Sequence, residues 1–166
     1  MSPKPSPYFQ EVYEAHKERI YRMCRGFMAS KDDAEDLFQE VMLIIWKKLP
    51  DFREEAQLGT WIYRITTNAA LLALNREKRN RKLLEEVEAV SIELPQEDSL
   101  QEERLLRLRK LIAELKEIDR VVITLVLEGC QYQEISDITG LSMSHVGVRI
   151  NRLKKQIKRK FETHAG

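Results

Sequence analysis

The sequence predicts an all-α protein: two small helical domains joined by a flexible acidic linker. Three observations lead there. Only six glycines and five prolines punctuate 166 residues, too few turn signals for a many-stranded fold, while Leu, Ile, Glu, Lys and Arg dominate. Apolar residues recur at three- and four-residue steps in both halves of the chain. Between the halves, residues 85–103 hold Pro95, eight acids, no base and no clean apolar stripe.

Each element can be justified in turn. Pro3, Pro5 and Pro7 keep the first residues extended, and Phe9, Val12, Tyr13, Ile20, Met23 and Phe27 then mark a helix over Tyr8–Phe27. Ser30 and the acids after it suit a second helix N-terminus. Leu37, Phe38, Val41, Met42, Ile45 and Leu49 carry that helix to Leu49, ahead of Pro50. Residues 51–59 show no periodicity. Thr60 is placed to cap a third helix bearing Trp61, Ile62, Ile65, Ala69 and Leu72, with Trp61 assigned to the core. These three helices share one core, giving a domain over 1–84, a linker over 85–103 and a second domain over 104–166. In the second domain, Leu105, Leu108, Leu111, Ile112 and Leu115 mark one helix, Val121–Leu127 another and Tyr132–Thr139 a third. Gly140 occupies a left-handed cap position and Ser142 caps a last helix, whose apolar face is Val146, Ile150, Leu153 and Ile157.

With 28 Lys plus Arg against 27 Asp plus Glu the net charge is only +1, but the signs are segregated. Residues 32–46 contain Asp32, Asp33, Glu35, Asp36 and Glu40 and no base. Residues 76–82 read Arg-Glu-Lys-Arg-Asn-Arg-Lys, and residues 138–161 carry seven bases and no acid. Near-neutrality thus conceals two basic and two acidic patches.

The pair Tyr132–Thr139 and Met143–Lys158, joined by Gly140-Leu141-Ser142, has the dimensions of a helix-turn-helix, whose second helix enters the DNA major groove. Away from the Val146 stripe that helix presents Ser144, His145, Gly147, Val148, Asn151, Arg152 and Lys155. Ser144, His145, Val148 and Arg152 are candidates for base readout; Lys154, Lys155, Lys158 and Arg159 are candidates for phosphate contacts. A solvated Lys-rich terminal helix is the competing reading; the acid-free stretch and the Gly-x-Ser turn favour DNA.

Cys24 and Cys130 form no CxxC pair, and three histidines supply no zinc spacing, so both cysteines are expected to be reduced fillers. A metal-dependent enzyme built on Asp32, Asp33, Asp36 and Glu40 would need Glu-x-x-His partners on another helix, and the sequence has none. Neither catalysis, a metal nor a cofactor is expected. No run of about 18 apolar residues and no apolar signal core are present, so the expected location is the cytoplasm, with no membrane insertion.

Two separated stretches resemble the bacterial extracytoplasmic-function (ECF, group 4) sigma factors. Asp33-Ala-Glu-Asp-Leu-Phe-Gln-Glu-Val with Thr60-Trp-Ile-Tyr-Arg-Ile-Thr-Thr-Asn is similar to their region 2. Tyr132-Gln-Glu-Ile-Ser-Asp-Ile-Thr-Gly-Leu-Ser with Val146-Gly-Val-Arg-Ile-Asn-Arg-Leu-Lys-Lys is similar to region 4. The resemblance implies a promoter-specificity subunit of RNA polymerase. It assigns Asp33, Asp36, Leu37, Gln39 and Glu40 to the clamp helices of the largest core subunit. It gives recognition and melting of the promoter −10 element to Phe52, Arg53, Thr60, Tyr63, Arg64, Asn68, Asn75, Arg76 and Arg79. The −35 element falls to Ser142, Ser144, His145, Val148, Arg149, Arg152, Lys154, Lys155 and Lys158. It also implies a polymerase flap contact, an anti-sigma factor as partner, and a linker threaded towards the RNA exit path, for which a solvated tether keeping the two domains apart is the competing reading. Leu72 departs from the family pattern, which commonly has an acid there. The alternative is a stand-alone helix-turn-helix transcriptional regulator, which would bind duplex DNA specifically without polymerase.

Overall fold

A computed structural model describes residues 7–53, 57–83 and 100–163. Among them are seven α-helices, α1 (Pro7–Phe27), α2 (Lys31–Lys48), α3 (Leu58–Leu83), α4 (Leu100–Ala113), α5 (Glu117–Leu127), α6 (Tyr132–Thr139) and α7 (Met143–Thr163), and one 3-10 turn, Leu49–Asp51.

α1 opens on Pro7, whose missing N–H costs nothing at a helix start. Its inner face of Val12, Ile20, Met23, Cys24 and Phe27 is buried. The Ser30 hydroxyl caps α2 by accepting from Asp33 N at 3.1 Å. Asp32 and Asp33 lie in the positive first turn, Lys47 and Lys48 in the negative last turn. Ala34, Leu37, Val41 and Ile45 point into the core. α3 begins two residues before the expected cap: Trp61 N already bonds the Gln57 carbonyl, so Thr60 lies inside the helix. α1, α2 and α3 pack on one another as the first half.

In the second half α4, α5 and α6 surround the inner face of α7, where Val146, Ile150 and Leu153 are fully buried. α4 begins at Leu100, so residues 100–103, expected at the end of the linker, are helical. The remaining linker positions, 85–99, lie outside the described residues, as do 54–56.

The two halves do not stand apart. α5 packs against α1 and α3, α6 against α3, and one continuous apolar cluster runs from Val12 to Leu153. Val121, Val122, Ile123 and Leu125 are all buried because α5 has packing partners on opposite sides. Gly26 permits the close approach of α1 to α5: a Cβ there would lie 2.5 Å from Thr124 Cγ2. Both cysteines are free and buried, and burial pushes the Cys24 thiol up to about 12.

Candidate nucleic-acid interface

The turn between α6 and α7 is fixed by its own hydrogen bonds. Gly140 takes φ +81°, a conformation open to glycine, and its N–H bonds the Ser136 carbonyl at 2.8 Å. The Ser136 hydroxyl donates to the Leu141 carbonyl at 2.6 Å, and Leu141 N donates to the Thr139 hydroxyl at 3.2 Å. Ser142 Oγ accepts from His145 N at 3.2 Å and caps α7. The recognition-type helix therefore leaves its partner at a set angle.

Opposite its buried stripe, α7 presents Ser144, His145, Val148, Asn151, Arg152, Lys155 and Arg159. Val148 is 68% exposed in the middle of that face. Ser142 stands at its N-terminal edge. Lys154 and Lys158 are exposed but flank the other side of the helix. There they border an apolar groove of about 410 Å³ whose walls include Leu108, Ile123, Val126, Leu127, Ile157 and Phe161. Arg149 lies elsewhere: it turns back to α5, donating to Asp119 at 2.5 Å, and the carboxylate is buried. Arg152 reaches the same carboxylate at 3.5 Å yet stays 59% exposed, free to swing outward.

The second basic surface lies along α3. Arg64, Asn68, Leu72, Asn75 and Arg79 fall on one exposed strip at steps of three and four, with Arg76 beside it. Tyr63 departs from expectation. It is buried at 6% exposure, its hydroxyl is 3.2 Å from His16 Nδ1, and Arg19 lies 4.9 Å above its ring. Burial keeps the phenol protonated by raising its pKa, and burial, with Arg19 adding to it, lowers that of His16. Phe52 and Trp61 pack ring to ring at 4.9 Å, both half-buried, so Trp61 lies against the core rather than within it. Arg53 is exposed next to Phe52, and Thr60 is half-buried.

On α2, Asp36, Gln39 and Glu40 share an exposed face, and Glu40 pairs with Arg76 of α3 at 3.6 Å, joining the acidic face to the basic strip. Asp33 is half-buried at the cap. Leu37 is 2% exposed and belongs to the core, so it offers nothing to a partner. The helix instead adds Leu43, 57% exposed between Asp36, Gln39, Glu40 and Lys47. Leu43 falls out of phase with the Leu37, Val41, Ile45 stripe, and that was its signal in the sequence. Asn151, central on the α7 face, was likewise readable from spacing.

Comparison with known proteins gives this arrangement a lineage. The family model described as Sigma-70 region 2 matches residues 12–80, and that for Sigma-70, region 4 matches residues 105–157. The chain is 28% identical over 164 residues to the ECF RNA polymerase sigma factor SigE of Mycolicibacterium smegmatis, covering 96% of this chain and 63% of that one. It is 25% identical to the ECF RNA polymerase sigma factor SigW of Bacillus subtilis, covering 90% and 89%. Among solved structures, the sigma factor RpoE in complex with the anti-sigma factor NepR from Bartonella quintana matches with TM-score 0.77 at 21% identity, over 93% of this chain and 96% of that one. CnrH, solved with the cytosolic domain of CnrY, matches with TM-score 0.68 at 21% identity, over 93% and 88%. The two family matches fall on the two halves of the fold, and the chain belongs to the sigma-70 family. Within that family it is of the ECF type.

Proposed function

We propose that this chain directs core RNA polymerase to specific promoters and so initiates transcription, without covalent chemistry of its own. The observation that carries the reading is the pairing of two exposed, base-rich helix faces with an acidic one. α7 offers Ser144, His145, Val148, Asn151, Arg152 and Lys155 to the −35 element. α3 offers Asn68, Asn75, Arg76 and Arg79 to the −10 element, while Arg64 on the same strip donates to the Asp137 carbonyl of α6 at 2.8 Å and reaches DNA only by exchanging that bond. Asp36, Gln39, Glu40 and Leu43 of α2 form the face for the clamp helices, where acids at helical spacing meet a basic surface. The apolar groove bordered by Lys154 and Lys158 is the site for the flap of the polymerase. Arg149, held by Asp119, positions α7 rather than reading bases, and Tyr63 supports α3 from within. Regulation by an anti-sigma factor fits the two related structures solved with such partners or with a cytosolic companion domain. Among the described residues no helix is long and apolar enough to cross a membrane, and we place the protein's work in the cytoplasm beside the polymerase.

In vitro transcription with core enzyme and mapping of start sites tests the proposal: new initiation sites should appear only when the chain is added. Substituting Gln39→Lys and Glu40→Lys together should abolish association with core while far-UV circular dichroism stays unchanged. Specific duplex binding by the free chain, with no new initiation, would instead establish the stand-alone regulator.

A further inference from the structure

Gly147 sits on the reading side of α7 with no need of the fold's own to be glycine. It lies three residues after Ser144 and four before Asn151, so the three share one row of the helix surface. Inside a helix, glycine is less favourable than any residue but proline, because its backbone gives up the most freedom and no side chain packs in return. Two structural needs can override that penalty, and both are met elsewhere in this chain. Gly129 and Gly140 take φ of +82° and +81°, which Gly147 does not. Gly26 admits a neighbouring helix, since a Cβ there would fall 2.5 Å from Thr124 Cγ2. At Gly147 the atoms nearest to an added Cβ are Cε2 and Cδ2 of Tyr132, at 3.6 and 3.9 Å, an ordinary contact. The fold would accept alanine there. What remains is an approach from outside, since glycine lets a ligand come against the helix backbone.

Tyr132 borders that bare stretch of backbone. It is the first residue of α6 and 40% exposed, and its hydroxyl makes no hydrogen bond among the described residues. In a helix-turn-helix the first helix crosses the sugar-phosphate backbone while the second enters the groove. Tyrosine, serine and asparagine side chains all serve as phosphate donors, and Tyr132, Ser144 and Asn151 stand around Gly147. A methyl group on Gly147 would hold a strand lying there about 1.5 Å further out, which takes a hydrogen bond past its working length.

We propose that Gly147 is the seat of one DNA strand at the −35 element: the strand lies against the α7 backbone at Gly147, and the Tyr132 hydroxyl donates to one of its phosphate oxygens. The assignment to the −35 element rests on the sigma-factor reading above; the seat itself rests on the geometry of α6 and α7.

Equilibrium binding of the holoenzyme to duplexes carrying promoters mapped by in vitro transcription tests the seat, with the thermal stability of each free variant measured beside it. Gly147→Ala should raise the melting temperature by about 2–4 °C, as expected for glycine replaced inside a helix, and yet weaken promoter binding about tenfold. Tyr132→Phe keeps the ring and should weaken binding about two- to tenfold, the range of one neutral hydrogen bond. Both losses should be alike across promoter sequences and should leave the log–log salt slope unchanged, because no cation leaves the interface. The double variant should lose less than the two single losses multiplied together, since both disturb one contact. Gly147→Ala binding as the wild type does, or losing stability and binding together, would overturn the seat. So would a loss confined to one base pair, which would put a base edge rather than a strand against Gly147. Unchanged binding by Tyr132→Phe would overturn the phosphate contact. If the wild type supports no promoter-directed initiation, the sigma-factor reading fails and the same variants are scored on duplex selected by the free chain; a wild type that binds duplex neither with nor without polymerase overturns both.

Discussion

Asp119 and His16 show how single side chains set the behaviour of their surroundings. Asp119 is a buried carboxylate in the first turn of α5, answered by Arg149 and, more loosely, by Arg152. Removing one partner of a buried pair leaves the other uncompensated; since Arg149 is 25% exposed, water repays part of that loss. Asp119→Ala should therefore lower unfolding stability by about 2 kcal/mol in urea titration, and Asp119→Ala with Arg149→Met should lose less than the single change. Equal losses would mean that the pair is not coupled. His16 gives a pH signature. Its folded-state pKa lies below the ordinary 6.5, through burial first and the charge of Arg19 second. In the window just below 6.5 the unfolded chain binds the proton more readily than the folded one. Stability is then fully present above that window and falls as the pH drops through it. Comparison of urea midpoints at about pH 7.5 and about pH 5.5 should show part of this acid-side loss disappear in His16→Gln; an identical loss in both would rule His16 out as its source.

At the scale of elements, α6 and α7 divide the labour of a reading head between packing and contact. Lys155 stands on the exposed face, away from the apolar groove, and has no role in the core. In the complex with polymerase, Lys155→Ala should weaken binding about equally across promoter sequences and make the log–log salt slope shallower by about 0.9. Val148→Ser on the same face should instead relax the preference at one base pair, as expected where an apolar side chain meets a thymine methyl group. A sequence-independent effect of Val148→Ser would remove it from readout. This head was legible in the sequence almost residue by residue: α6 has the expected bounds, Gly140 is left-handed, Ser142 caps, and Val146, Ile150 and Leu153 are buried. Local chemistry decides all of these. What periodicity could not supply was the direction of long polar side chains near a helix's flank. Arg149 and Arg152 differ by three positions, yet one is claimed by Asp119 thirty residues earlier and the other is mostly free. Tyr63 and Leu37 were drawn into recognition by the motifs containing them, whereas the packing of α3 on α1 and of α2 on the core takes both inward.

For the molecule as a whole, the contact between the halves was the least legible feature, because its polar contacts join residues far apart in the chain, 73 positions for Arg64 and Asp137 and 106 for Arg22 and Glu128. One trace of it existed in the run Val121-Val122-Ile123-Thr124-Leu125, apolar but for Thr124, which has no solvent-facing side and so needs packing partners all round. A helix buried from both sides ties the stability of each half to the other, and the placement of the two tryptophans makes the tie measurable. Trp46 lies on α2 and Trp61 on α3, so tryptophan emission reports on the first half alone. Leu153, fully buried on α7, belongs to the second half, and Leu153→Ala should cost about 2–5 kcal/mol through lost burial and the cavity left behind. If the closed chain unfolds as one unit, this distant change will move the emission-monitored urea transition and the far-UV circular dichroism transition by the same amount. Independent halves would leave the tryptophan transition where it was and split the dichroism curve in two.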